Sequence, residues 1–176
     1  MMQGSQSFAR QAMGQSRTAV PDSRLALVGM LLVVAYAGLA IAGWHWPWLV
    51  SLQEIELYKQ LTGLAMVLLF AAQWRLMLVR AQGAPRRPGR MLLSHRNWGV
   101  LAPVLLYLHA SGFGHAYVQL MCLAFLALLT LGFMHRPINR LNQSWLMTGW
   151  LVTHVALAAM LMLLVGYHAF NSFYYE

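Results

Sequence analysis

Apolar residues in this chain do not alternate; they run in long blocks separated by short polar segments, at about residues 25–44, 61–79, 91–110, 117–134 and 145–170. A helix rises about 1.5 Å per residue, so a block of about 20 residues reaches the ~30 Å thickness of a hydrocarbon core. In lipid every backbone N–H and C=O must be satisfied within the segment, and an α-helix does this. The pattern therefore predicts an all-α integral membrane protein, a bundle of about five transmembrane helices within residues 25–176. Ahead of it, residues 1–24 are rich in Gln, Ser, Gly and Arg without apolar periodicity, and read as a flexible basic tail.

The polar breaks have the chemistry of membrane margins. Trp44, Trp46 and Trp48 close the first block as an interfacial anchor, and Glu54, Glu56 and Lys59 follow in a connecting loop. AQGAPRRPGR at residues 81–90 carries two prolines and reads as a loop, as does Ser111-Gly112-Phe113-Gly114, while Arg136-Pro137 ends the fourth block. Ala40-Ile41-Ala42 resembles a signal-peptide cleavage site, but the apolar run before it exceeds the usual core of about 7–15 residues, so a retained helix is expected.

Composition narrows the class. With 60% hydrophobic and 9% charged residues, against about 25% charged in soluble domains, the chain could not cover an aqueous surface. The formal charge of +8 would admit nucleic acid, but the arginines sit beside the apolar blocks: Arg10, Arg17 and Arg24 before the first, Arg80, Arg86, Arg87, Arg90 and Arg96 around the start of the third, Arg136 and Arg140 before the fifth. That is the positive-inside pattern, with no nucleic-acid module. It sets the N-terminus inside and the C-terminus outside, as in a bacterial inner (cytoplasmic) membrane, with the lipid bilayer as the first partner. The single cysteine, Cys122, lies within a block, so no disulfide or CxxC site forms within the chain. The 12 methionines are scattered through apolar blocks and read as packing residues.

Candidate chemistry lies with the histidines. His95 and His109 are 14 residues apart in the third block, and His154 and His168 are 14 apart in the fifth. That spacing leaves about 40° of angular offset and about 21 Å of rise, so each helix presents two imidazoles on one face at two depths. The third and fifth spans run in the same direction, so His95 can face His154 near the inner side and His109 can face His168 near the outer side. Each pair could clamp a flat macrocycle, and haem b suits two neutral imidazoles. Interhelical hydrogen bonding is the plainer role for a histidine in a membrane. Two equal spacings of costly polar residues on parallel spans favour a cofactor. Zinc or copper would need three or four ligands together, and no Asp or Glu lies inside a span to build a transport site.

His95-Arg96-Asn97-Trp98-Gly99 followed by Leu106-Tyr107-Leu108-His109 resembles the HRxxG…H signature of the ferric reductase-like transmembrane domain, the family shared with NADPH oxidases and the haem subunit of methionine sulfoxide reductase. Thr153-His154 and Tyr167-His168 resemble its later helix, and the resemblance extends over about residues 61–170. It implies electron transfer across the membrane through two haems b, with His95, His109, His154 and His168 as axial iron ligands. Many members carry a flavin and nicotinamide domain; here no GxGxxG follows a strand, so the expected donor or acceptor is a separate redox protein, a quinone or a soluble flavin. The chain is then an electron-transfer component of an oxidoreductase. A quinol-interacting cytochrome b anchor of a dehydrogenase or reductase, and a haem-free structural subunit, are the alternatives.

Other residues have two readings each. Pro103 kinks the third helix between its histidines, either to tilt the imidazoles or as ordinary helix bending. Gly99 lets a macrocycle, or simply another helix, come close. Arg96, Arg90 and Arg75 could meet propionates or serve as topological anchors. His115 and His45 lie at the outer margin, where an acceptor could bind, and His135 reads as a solvated residue of the inner loop. A sidedness reporter fused after Glu176 is expected to read the outer face and one inserted at Arg87 the inner face; the reverse pair of readings inverts the orientation.

Overall fold

The computed structural model describes residues 22–82 and 88–174. Its regular elements are all helices: α1 (Asp22–Ala42), α2 (Pro47–Glu54), α3 (Glu56–Ala81), α4 (Pro88–His109), α5 (Tyr117–Phe133), α6 (His135–Arg140) and α7 (Ser144–Tyr174). Among the described residues, four stretches are long and apolar enough to cross a membrane: Arg24–Ala42, Glu56–Val79, Tyr117–Arg140 and Ser144–Tyr174. At 22 residues α4 is long enough as well, but Arg90, His95, Arg96, Asn97 and His109 lower its apolar character. The polar residues that disqualify it by composition include the candidate site.

Several boundaries differ from the sequence reading. Residues 1–21 of the expected tail, with Arg10 and Arg17, lie outside the described residues, as do Arg86 and Arg87, while Asp22-Ser23-Arg24 already belongs to α1. The segment between the first two spans is not a loop throughout. Pro47 opens α2, where a residue without an N–H forfeits no helical hydrogen bond. The next helix starts at Glu56, whose carboxylate pairs with Lys59 at 3.5 Å and accepts from Gln60 Nε2 at 3.2 Å. Arg136-Pro137 does not end helical structure either: Pro137 falls in the first turn of α6, a position whose N–H has no helical partner to lose.

Turns and side-chain bonds set the end of the bundle where α1 and α4 finish, the outer end in the orientation that the arginines predict. Gly43 stands at φ +62°, and Trp44 N–H donates to Leu39 O at 3.1 Å while Gly43 N–H donates to Ala40 O at 3.4 Å, a Schellman close to α1. From α2, Gln53 Nε2 donates to Tyr107 O at 2.9 Å and Leu108 O at 3.1 Å, satisfying carbonyls that the end of α4 leaves open. Ser111 Oγ completes the clamp by donating to Gln53 Oε1 at 2.9 Å. Tyr36 of α1, only 2% exposed, donates to Gly112 O at 3.1 Å and lies 3.3 Å from Cys122 Sγ. The last turn of α4, and with it His109, is thereby tied to α1 and α2.

The core lies where α1, α3, α4 and α5 meet, around Val33, Tyr36, Phe70, Leu106 and Phe125, with Leu161 closing it from α7. Phe70 and Phe125 pack with ring centres 5.5 Å apart. Gly29 gives the Phe133 ring a notch on α1, since a Cβ there would overlap it. On α7, Leu161 is 0% exposed while Leu163, two positions on, is 77% exposed on the opposite side. Leu161→Ala is expected to destabilise the detergent-solubilised protein by about 2–5 kcal/mol, and Leu163→Ala by no more than about 0.5 kcal/mol; thermal unfolding monitored by circular dichroism separates the two.

Candidate functional site

The four histidines that stand out in the sequence come together as two pairs. His95 of α4 and His154 of α7 have ring centres 6.4 Å apart with planes at 72°, and His109 and His168 have ring centres 6.4 Å apart with planes at 84°. Each helix meets the other at its earlier histidine and again at its later one, so α4 and α7 run in the same direction. Helices packed directly at the usual 8–10 Å between axes bring many Cα atoms close. Among the described residues α4 and α7 share no close backbone contact, and each is instead seated on α3 and α5. The imidazoles reach across a slot between two helices whose backbones stand apart.

A ring separation of 6.4 Å is too long for a hydrogen bond between the two imidazoles. It is the spacing of two imidazoles sharing one metal. With each nitrogen about 2.0–2.1 Å from a common ion and the two on opposite sides of it, the ring centres would fall roughly 6.4 Å apart. Among the described residues no three His, Cys, Asp or Glu side chains converge on one point. Each pair therefore offers two donors, and a metal held there would take its remaining donors from something other than these side chains.

There is space for a bound molecule at the inner pair. A cavity of about 650 Å³ includes His95 and His154 in its walls, within the 300–1,000 Å³ of ordinary cofactor sites. Phe70, Leu128 and Val155 give it an apolar lining, and Arg96 and Arg136 also border it. His154 Nδ1 is buried without a hydrogen-bond partner, a costly arrangement for a ring nitrogen unless a ligand uses it or its neighbour.

A glycine makes room for one ring on a neighbouring helix. A Cβ at Gly63 of α3 would lie 3.3 Å from His109 Cε1, tighter than an ordinary contact, whereas one at Gly132 of α5 would make an ordinary contact 3.5 Å from His154 Cε1. Gly99 borders the inner cavity, and a Cβ there would come within 4.0 Å of Gln73 Nε2. Gln73 Nε2 itself donates to His95 O at 3.1 Å. Pro103, buried in α4 between the two histidines, withdraws the N–H that would otherwise bond the Gly99 carbonyl. At the outer pair, Thr62 Oγ1 lies 3.0 Å from His109 Nδ1, and Tyr117 Oη lies 3.4 Å from His168 Nδ1.

The remaining candidates separate. Arg96 borders the inner cavity, Arg75 is exposed and does not, and the Arg90 side chain lies outside the described residues. His45 and His115 are exposed at the outer end, where a Cβ at Gly112 would lie 4.0 Å from His45 Cε1. His135 corrects the sequence reading, because it is half-buried rather than solvated. Its ring centre lies 4.8 Å from that of Trp150, and it borders the inner cavity. Helix α6 causes this by turning His135 back toward α7. Trp150 in turn stacks on His154, ring centres 5.4 Å apart and planes at 17°, and donates from Nε1 to Leu131 O at 2.7 Å.

The sequence reading missed Thr62, Gly63, Tyr117, Gly132 and Trp150. Of these only Trp150 carried a signal, since it precedes His154 by one helical turn. No protein-family model, curated protein or solved structure matches the chain.

Proposed function

We propose that this chain is a membrane cytochrome b that carries electrons across the bilayer between two haems b, an inner one held by His95 and His154 and an outer one by His109 and His168. The observation that carries this reading is the repeated 6.4 Å imidazole pair in a slot between two helices that make no backbone contact with each other. A hydrogen-bonding histidine needs no such gap, and a four-ligand metal site needs more donors than either level has. The likeness of His95-Arg96-Asn97-Trp98-Gly99 and His109 to the ferric reductase-like transmembrane domain supports the same conclusion.

When bound, haem b supplies reversible one-electron chemistry. The chain's own groups hold and insulate it. Neutral imidazoles provide donors without bringing charge into lipid, and Arg96 and Arg136 offer cations to anionic groups at the edge of the inner cavity. Gly99 keeps that cavity open beside α4, while Trp150 covers a face of His154 and limits its rotation. In this reading α4 is a fifth span, the N-terminus is inside and the membrane is a bacterial cytoplasmic membrane. A separate redox protein or a quinone supplies or takes the electrons.

Mutation of the ligands tests this. His95→Ala and His154→Ala should each abolish one and the same haem signal in the reduced-minus-oxidised spectrum, and His109→Ala and His168→Ala should each abolish the other. Grouping of His95 with His168, or a wild-type protein without a b-type spectrum, would contradict the proposal.

A further inference from the structure

We propose that Thr62 of α3 is a positioning residue for the outer pair, holding His109 in the tautomer that carries its proton on Nδ1 and leaves the Nε2 lone pair free for a metal. This rests on the haem reading above. Thr62 Oγ1 lies 2.8 Å from Tyr58 O and 3.2 Å from Lys59 O, on the preceding turn of its own helix. A carbonyl can only accept, so the single hydroxyl proton is directed to those oxygens. Toward His109 Nδ1, 3.0 Å away, the hydroxyl oxygen is then an acceptor. The proton in that bond comes from the ring, and a neutral imidazole protonated on Nδ1 has its lone pair on Nε2.

A second contact fixes the same ring. Gly63, the next residue of α3, leaves the space beside His109 Cε1 open, where a Cβ would stand at 3.3 Å. Thr62 sets which nitrogen is protonated and Gly63 sets how closely the ring lies against α3. Gln53 holds the carbonyls of the same turn of α4 through Tyr107 and Leu108, so the backbone under the ring is tied as well. The outer pair has a hydroxyl at both rings, Tyr117 Oη standing 3.4 Å from His168 Nδ1, whereas at the inner pair His154 Nδ1 is buried without a partner.

The two levels therefore differ electronically. An imidazole whose N–H is accepted by an oxygen is the more basic ligand, and a stronger donor favours ferric over ferrous iron. Thr62 lowers the reduction potential of the outer haem relative to a site with no such bond, and retains it more firmly.

The test is a spectroelectrochemical titration of the full-length protein in detergent or nanodiscs, comparing Thr62→Val with Thr62→Ser. Valine keeps the shape and removes the oxygen; serine keeps the oxygen. Thr62→Val should raise one of two haem potentials, leave the other unmoved, and weaken retention of that one haem by about 10–100-fold, the usual effect of losing a ligand's outer hydrogen bond. Thr62→Ser should match the wild type in both. A folded Thr62→Val protein with both potentials and both haems unchanged overturns the inference while leaving the haem reading intact. A wild-type protein without haem removes the reading and the inference together. Should Thr62→Val not accumulate, ¹⁵N-histidine spectra of haem-depleted wild-type protein give the answer directly, with the His109 resonance assigned through His109→Ala. A proton on Nδ1 supports the inference, and a proton on Nε2 overturns it.

Discussion

Polar side chains inside a bilayer must find partners within the protein, and the placement of four imidazoles follows from that constraint. A buried polar group without a hydrogen bond costs about 2–7 kcal/mol, depending on the reference medium. His95, His109, His154 and His168 face one another in two pairs across the slot between α4 and α7, too far apart to bond directly. Thr62 and Tyr117 stand beside one pair, and in the haem reading a bound group supplies the partner that His154 lacks. The pairing requires two helices that run the same way, in register, and stand further apart than direct packing would leave them. Much of the remaining structure supplies those conditions.

Helices α3 and α5 act as the spacers. Each touches both α4 and α7, and each passes a glycine beside a histidine ring, Gly63 by His109, where a Cβ would crowd the ring, and Gly132 by His154. Register comes from the ends. Gln53 and Tyr36 tie the outer turn of α4 and the hairpin after it, while at the other end Trp150 stacks on His154 and His135 packs at a tilt against Trp150. The slot is bounded on its sides by spacers and at its ends by polar clamps. Movement of one histidine pair would disturb a set of contacts that also define the fold.

The helical membrane character and the pairing of the histidines were legible in the sequence because both depend on long-range periodicity. A block of about 20 apolar residues has few other uses, and a 14-residue spacing repeated on two blocks has a direct geometric consequence. What could not be read depended on contacts between helices. Gly63 and Gly132 are single glycines in apolar runs, and nothing local distinguishes them from packing glycines such as Gly29. Thr62 precedes His109 by 47 residues, and only the juxtaposition of α3 with α4 joins them. The errors at His135 and in the 45–60 segment came from treating polar stretches as loops, although Pro47 and Pro137 each fall in a first helical turn, where proline is tolerated.

The central claim is that each imidazole pair is one axial-ligand set, so the number of bound groups equals the number of pairs. A pyridine haemochrome assay on purified protein, normalised to polypeptide by quantitative amino-acid analysis, measures it most directly. The account predicts non-covalent haem b at two per chain with a low-spin, bis-histidine spectrum. One haem per chain would leave one of the pairs unexplained, and a fully folded protein carrying none from a haem-replete host would contradict the account.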